Sequence, residues 1–298
     1  CGRVGMSADT YTGDRMFFPG GDIGSLAVDG TVNDVAMLGA RPEYLSCGLI
    51  LEEGLPLADL RRVVQSMAEA AQEAGVQIVT GDTKVVPRGG ADKIYVNTTG
   101  IGRILAHPAP TGAGARPGDA VLVSGPVGDH GMAVMVSRSG LAVNPDLTSD
   151  SAPLNHMVEN IIAALAPQGA PHVLRDPTRG GLATTLNEIA GQSGVNILLR
   201  ETDIPVRQCV RAAASIIGLD PLYLACEGRL ICIVSQDQAE AALAAMRHSP
   251  YGENACRVGE VLRDPLPGGR TGQVVLQTPL GGKRLLPMLE GEQLPRIC

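Results

Sequence analysis

Residues 106–118, AHPAPTGAGARPG, hold three Pro among Gly and other small residues and show no hydrophobic periodicity. A regular helix or strand does not run through such a stretch, because Pro lacks an amide donor and Gly leaves the backbone unrestrained. The stretch divides the chain into two blocks, and 298 residues are enough for a core on each side. Both blocks mix helical and extended patterns. The expectation is a two-domain α+β or α/β protein, with domains over 1–105 and 106–279 and a mobile tail over 280–298.

In the first block, residues 25–39 read as a helix stopped by Gly39, and 43–51 as a strand. Pro56 opens a helix whose Leu57, Leu60, Val64, Met67 and Ala71 share one face, and Gly75 ends it. Residues 76–80 read as a short buried strand running into Gly81-Asp82. Over 93–101, Lys93, Tyr95 and Asn97 alternate with Ile94, Val96 and Thr98, as in a half-exposed strand. In the second block, 120–124 reads as a buried strand, and Gly128-Asp129-His130-Gly131 leads into an Ala/Met/Val helix. Further helices are expected over 154–166, 180–193, 207–217 and 237–247, and strands over 195–200, 229–235, 256–262 and 273–278. From Leu280 the pattern fades into a tail that contains Pro287 and Pro295, with Gly281-Gly282 as its expected hinge.

Composition excludes several classes. Lys and Arg number 24 against 31 Asp and Glu, a net charge of −7, which argues against general nucleic-acid binding. Aromatic residues are 2% with no Trp, so base-stacking platforms and membrane aromatic belts are not expected. No apolar run is long enough to span a bilayer, and a cytoplasmic protein is the expectation. The 7 Cys form no CxxC pair, so neither a disulfide framework nor a zinc site is expected. Cys47, Cys209, Cys232 and Cys256 read as small buried hydrophobes. The sequence starts at Cys1 inside folded-looking sequence, which suggests a preceding segment.

Four Asp stand at expected strand ends or turns: Asp9, Asp34, Asp82 and Asp176. Hard oxygen donors of this kind suit Mg²⁺ with waters and phosphates, while each one alone also fits a cap or turn. Asp34 stands out beside Asn33, inside a helix that neither residue favours. Lys84, after Gly81-Asp82-Thr83, could neutralise phosphate charge or be a surface lysine. Glu227, between apolar Leu222–Ala225 and a strand, is a candidate base because an apolar setting raises a carboxyl pKa; a turn residue is the alternative. Pro19-Gly20-Gly21-Asp22 and Arg179-Gly180-Gly181 precede helices but match no phosphate-loop spacing. The chain ends in Pro295-Arg296-Ile297-Cys298, a thiol on a terminal segment that could be carried to a distant site.

Together these residues resemble one family. The run Phe17-Phe18-Pro19-Gly20-Gly21-Asp22-Ile23-Gly24 is similar to the HypE hydrogenase maturation proteins, as are Thr31-Val32-Asn33-Asp34-Val35-Ala36 and Gly81-Asp82-Thr83-Lys84-Val85-Val86. So are Gly128-Asp129-His130-Gly131, Arg175-Asp176 with Thr178-Arg179-Gly180-Gly181, and the terminal Pro295-Arg296-Ile297-Cys298. The resemblance spans the chain and implies a two-domain PurM-like fold, related to aminoimidazole ribonucleotide synthetase. Its N-terminal domain would form a homodimer through a β-barrel, and its C-terminal domain would be an α/β sandwich.

The activity implied is ATP-dependent dehydration of a carbamoyl group, placed on Cys298 by HypF, to a thiocyanate. The cyanide would pass to a HypC–HypD complex for [NiFe]-hydrogenase. By the same resemblance Asp9, Asp34 and Asp82 hold Mg²⁺ and phosphates, with help from Asp176. Thr10, Asn33 and Thr83 position nucleotide or metal-bound waters, Glu227 takes protons from the amide nitrogen, and Lys84 stabilises charge on oxygen. Two other readings stay open. One is a superfamily enzyme such as selenophosphate synthetase or thiamine-phosphate kinase, with no need of Cys298. The other is a non-enzymatic scaffold that presents Cys298 to partners.

Overall fold

Asp22 sets the start of the helix on which the first block is built. Its side chain accepts from the amides of Gly24 and Ser25, and Ser25 bonds back to it in a capping box, an arrangement worth about 1 kcal/mol. The computed structural model describes residues 2–12, 16–139, 146–166 and 168–289. Its first block runs β1 (Val4–Thr12), a β2–β3 hairpin (Phe17–Phe18, Gly21–Asp22), α1 (Ile23–Met37), β4 (Ala40–Glu52), α2 (Leu57–Ala74), β5 (Gln77–Val86) and β6 (Ile94–Ile104). The sheet has the order β1-β6-β4-β5, antiparallel except for the parallel β4–β5 pair.

Both helices cover one face of this sheet. α1 is apolar almost all round and buried on nearly every side, as such a helix must be. Ile23, Leu26, Val28 and Val32 pack with Val63 and Met67 of α2 and with Leu45, Ile94 and Val96 of the sheet. The helices cross closely at Gly24, where a Cβ would stand 2.3 Å from the Val63 carbonyl oxygen. The other face of the sheet carries exposed apolar groups: Val4, Met6, Tyr44, Ile50 and Ile101.

The second block runs β7 (Ala120–Val123), α3 (Asp129–Ser139), α4 (Asn155–Leu165), β8 (Val173–Arg175), α5 (Gly181–Ser193), β9 (Ile197–Arg200), α6 (Gln208–Ile217), β10 (Ile231–Val234), α7 (Ala239–Arg247), β11 (Cys256–Val261), β12 (Val274–Gln277) and β13 (Lys283–Leu285). These strands form a seven-stranded sheet, β13-β12-β9-β11-β7-β10-β8. β7 and β10 are buried at every position, because α5 covers one face and α4 with α7 the other. Ala36 and Met37 at the end of α1 belong to the core under α4 and α7, so the two blocks share apolar packing.

Three expectations are corrected. The strand expected at 76–80 as short and buried is β5, ten residues long and exposed along its length, an unpaired edge within one chain. Asp82 therefore stands inside a strand. Residues 280–289, expected within the tail, are part of the second block. Gly281-Gly282 is the turn of the β12–β13 hairpin, with Thr278 N donating to Gly282 O at 2.8 Å and Gly281 at φ +83°. Leu286 is buried and bonded to Val274 O, Tyr223 OH donates to Pro287 O at 2.9 Å, and Leu289 N to Thr184 Oγ1 at 3.3 Å. The chain is thus fastened as far as Leu289, and Cys298 lies outside the described residues. Of the four cysteines expected to be buried, Cys232 is; Cys47, Cys209 and Cys256 are part-exposed, and Cys226 is buried as well. No helix among the described residues is long and apolar enough to cross a membrane.

Candidate active site

A cleft of about 420 Å³, open mouth included, lies where β1, α1, the segment after β8 and the turn before β10 meet. Its walls include Asp9, Asp34, Asp176, Arg179 and Glu227. Residues far apart in sequence are joined here by the packing of α1 between the two sheets. Asp9 is on the helix-facing side of β1, in the row of Thr98, Cys47 and Gly81. Asp34 leaves α1 toward β1, where Ser7 Oγ donates to its Oδ2 at 2.8 Å. Asp176 follows β8, and Glu227 sits in the turn before β10 with 3% of its surface exposed.

Burial and crowding set the electrostatics. Burial is the main cause that pushes Asp176 up to about 7, and the Asp34 and Asp9 carboxylates add to it. Burial likewise lifts Glu227 well above the ordinary carboxyl range, with further contributions from Asp176, Asp150, Asp9 and Asp34. Asp34 is raised by burial, opposed by the Ser7 hydrogen bond and by Arg179 and Arg175, and raised again by Asp9. Carboxylates gathered in this way, against two arginines, are what a divalent cation would relieve. Among the described residues no three acidic or His/Cys side chains converge as a ready-made metal cage. Such a donor set fits Mg²⁺, which takes one or two carboxylates and completes its shell with water and phosphate.

The other expected site residues are elsewhere within this chain. Asn33 is buried and fully engaged: its Nδ2 donates to Ala152 O at 3.0 Å and Glu227 O at 3.1 Å, and its Oδ1 accepts from Leu154 N at 2.8 Å. It ties α1 to the second block and has no donor left for a nucleotide. Thr10 faces the opposite side of β1 from Asp9, and its Oγ1 accepts from Asn97 at 2.7 Å. Asp82 is in register with Gly48, Asn97 and Thr10, three strand spacings or roughly 14 Å from β1, and on that opposite face. Thr83 and Lys84 stand beside it on exposed β5. Asp82 and Thr83 line a different concavity, with Val64 and Ala68 of α2.

Sequence reasoning missed Tyr11, Gly30 and the placing of Arg179. A Cβ on Gly30 would stand 2.0 Å from the Tyr11 hydroxyl, so this mid-helix glycine makes room for a phenol at the cleft. An interior helical Gly is a local conflict that could have signalled this. Leu289 lines a second concavity with Arg175, Thr178, Arg179 and Thr184, and Thr178 and Arg179 also line the cleft.

One buried acid near this cleft yields a stability prediction. Asp29 of α1 accepts from Ser151 at 3.2 Å through Oδ2, while its buried Oδ1 has no hydrogen-bond partner. Burial raises its pKa to about 7 from 3.8. A raised carboxyl favours the fold least when ionised: the cost is absent below the unfolded pKa and grows as pH rises to the folded one. Asp29→Asn is expected to stabilise the chain at pH 8 by on the order of 1–3 kcal/mol, after the unsatisfied amide offsets part of the gain. The gain should vanish by about pH 4. Thermal unfolding of both proteins across that range checks it; a difference independent of pH refutes the ionisation argument.

The chain is similar to known proteins over nearly its whole length. Residues 2–104 match the N-terminal domain of AIR synthase related proteins and residues 116–270 their C-terminal domain. Carbamoyl dehydratase HypE of Cupriavidus necator is 54% identical over 296 residues, covering 99% of this chain and 82% of that protein. A crystal structure of hydrogenase maturation protein HypE in complex with ATP is 62% identical with a TM-score of 0.95, covering 100% of this chain and 88% of that one. The crystal structure of a HypE–HypF complex contains a chain 45% identical with a TM-score of 0.90, covering 96% of this chain and 90% of that one.

Proposed function

The chain belongs to the HypE family of carbamoyl dehydratases, and from that premise we propose that it dehydrates a carbamoyl group on its own Cys298 to a thiocyanate, using ATP. The observation that carries this reading is the juxtaposition of buried Glu227 with Asp34 and Asp176 in one cleft, beside the point where the described chain ends. Fully extended, residues 290–298 span at most about 30 Å, enough to bring a terminal sulfur from Leu289 to the cleft.

An amide loses water slowly because hydroxide leaves poorly. ATP supplies the γ-phosphoryl group that turns the carboxamide oxygen into a phosphate leaving group. The carbon–nitrogen triple bond then forms as the carbon–oxygen bond breaks, and the two nitrogen protons depart. Glu227, its carboxyl raised by burial, takes one proton from nitrogen as the oxygen is phosphorylated, and the departing phosphate carries off the second. One or two of Asp9, Asp34 and Asp176 would ligate Mg²⁺ against the phosphates, the others reaching it through water, and that ion would supply charge neutralisation. Arg179, which lines the cleft, would face the same phosphates.

Lys84 and Asp82 reach such a site through a second copy of the chain. The free edges of the first sheet are β1 and β5, and its uncovered face is apolar. Two such sheets closed into a barrel would pair each β5 with the other copy's β1 and leave no edge. Each homodimer cleft, with Asp9, Asp34, Asp176 and Glu227 of one copy, would then adjoin the Asp82-Thr83-Lys84 run of the other across the β1–β5 seam. HypF is the proposed carbamoyl donor and a HypC–HypD complex the cyanide acceptor.

The test is intact-mass measurement of the full chain incubated with HypF, carbamoyl phosphate and ATP. The expected product is an adduct on Cys298 that then loses one water. A carbamoyl adduct that persists unchanged through ATP turnover would overturn the dehydratase reading.

A further inference from the structure

The motif Gly128-Asp129-His130-Gly131 takes no part in the chemistry above, yet it is locked to the turn that carries Glu227. Gly131 N donates to Ala225 O at 2.9 Å, and Gly128 N to Cys226 Sγ at 3.2 Å. The contact tolerates no side chain: a Cβ on Gly131 would stand 2.8 Å from Ala225 N. Between motif and turn lies Asp150, with a side chain 1% exposed. Its Oδ1 accepts from the Glu227 amide at 3.1 Å, and the His130 amide also donates to this carboxyl. Arg229 Nε lies 3.5 Å from its Oδ2. Arg229 is itself held by Pro126 O at 3.0 Å and Tyr251 O at 3.1 Å. On the other side Asn33 holds the Glu227 carbonyl.

The Glu227 backbone is thus gripped at both its N–H and its C=O by buried side chains. A buried ion pair is a weak device for stability, since desolvation consumes most of its Coulombic attraction. Holding a reacting group in one orientation is a use that repays it, because a misplacement of about 1 Å can cost 10²-fold in rate. We propose that Asp150, steadied by Arg229, is a positioning residue that aims Glu227 at the reacting amide. The proposal rests on the reading of Glu227 as the base.

The test is a cycle of full-length chains, each carbamoylated on Cys298 and followed by intact mass for water loss at saturating ATP, with ATP binding measured in parallel. Asp150→Ala is expected to slow dehydration about 10–100-fold with ATP affinity unchanged. Asp150→Asn, which keeps an acceptor for the Glu227 amide, is expected to recover most of that loss. In a Glu227→Gln background Asp150→Ala should slow the residual rate less than about threefold, since there is no base left to aim. Equal slowing in both backgrounds, or an asparagine variant as slow as the alanine one, overturns the positioning role. If the alanine variant fails to fold, Asp150→Ser, too short to reach the amide, replaces it in the same cycle. Failure of the underlying reading looks different: Glu227→Gln alone then dehydrates at the parent rate.

Discussion

Glu227→Gln is expected to bind ATP as the parent does and to stall with Cys298 carbamoylated, its water loss slowed about 10²–10⁴-fold, the usual cost of removing a positioned base. Gln occupies nearly the same volume, and the backbone bonds to Asp150 and Asn33 involve no Glu227 side-chain atom. The change therefore isolates the carboxylate. It also leaves the other three carboxyl groups of the cleft in place, so nucleotide affinity should hold. The measurement is the time course of the carbamoylated and dehydrated masses together with ATP titration. A variant that dehydrates normally would falsify the base assignment, and one that merely loses ATP would move Glu227 from proton transfer to nucleotide binding.

The second large effect concerns the two halves of the proposed dimer site. Lys84→Ala and Glu227→Gln homodimers are each expected to be close to inactive. Mixed from unfolded chains and refolded together, they should regain about a quarter of parental activity: about half of randomly paired dimers are mixed, and one of the two clefts in each of those is complete. The reason is geometric. Within one chain Lys84 is on an exposed edge strand, in register with Ile50 and across the sheet from β1, so its Nζ cannot serve the cleft that holds Glu227. Recovery of activity on mixing supports a site built across two copies. No recovery, with mixed dimers demonstrably present, would mean that Lys84 serves its own chain or stands outside the chemistry.

How far the sequence disclosed this arrangement depends on the kind of signal. Helices with clear stops were readable: Pro56 and Gly75 bracket α2, and Gly75 takes the left-handed conformation its position requires. The alternation over 93–101 matches β6, where Ile94, Val96 and Thr98 are buried while Asn97 faces out. β1 escaped for a physical reason. Its inward face carries Gly5 packed under Leu38 and Ala40, then Ser7 bonded to Asp34 and Asp9 at the cleft, and its outward face carries Val4 and Met6. The hydrophobic pattern is the inverse of an ordinary half-buried strand. β5 escaped in a related way, since its apolar Ile78, Val79 and Val85 stand exposed. At the site, Asp9, Asp34, Asp176 and Glu227 were identified as chemical candidates, and the fold brings them together. Asn33 shows the limit: beside Asp34 it reads as a ligand, and only tertiary packing shows its amide spent on three backbone groups.

That expenditure has a mechanical consequence. Neighbouring positions on one helix do opposite jobs, Asn33 welding the two lobes and Asp34 looking into the reaction chamber, while Ala36 and Met37 further down are sunk into the second lobe's core. The jaws of this enzyme cannot open and shut around their cargo without tearing that weld. A catalytic cycle that left those bonds intact would run inside a vessel of fixed shape.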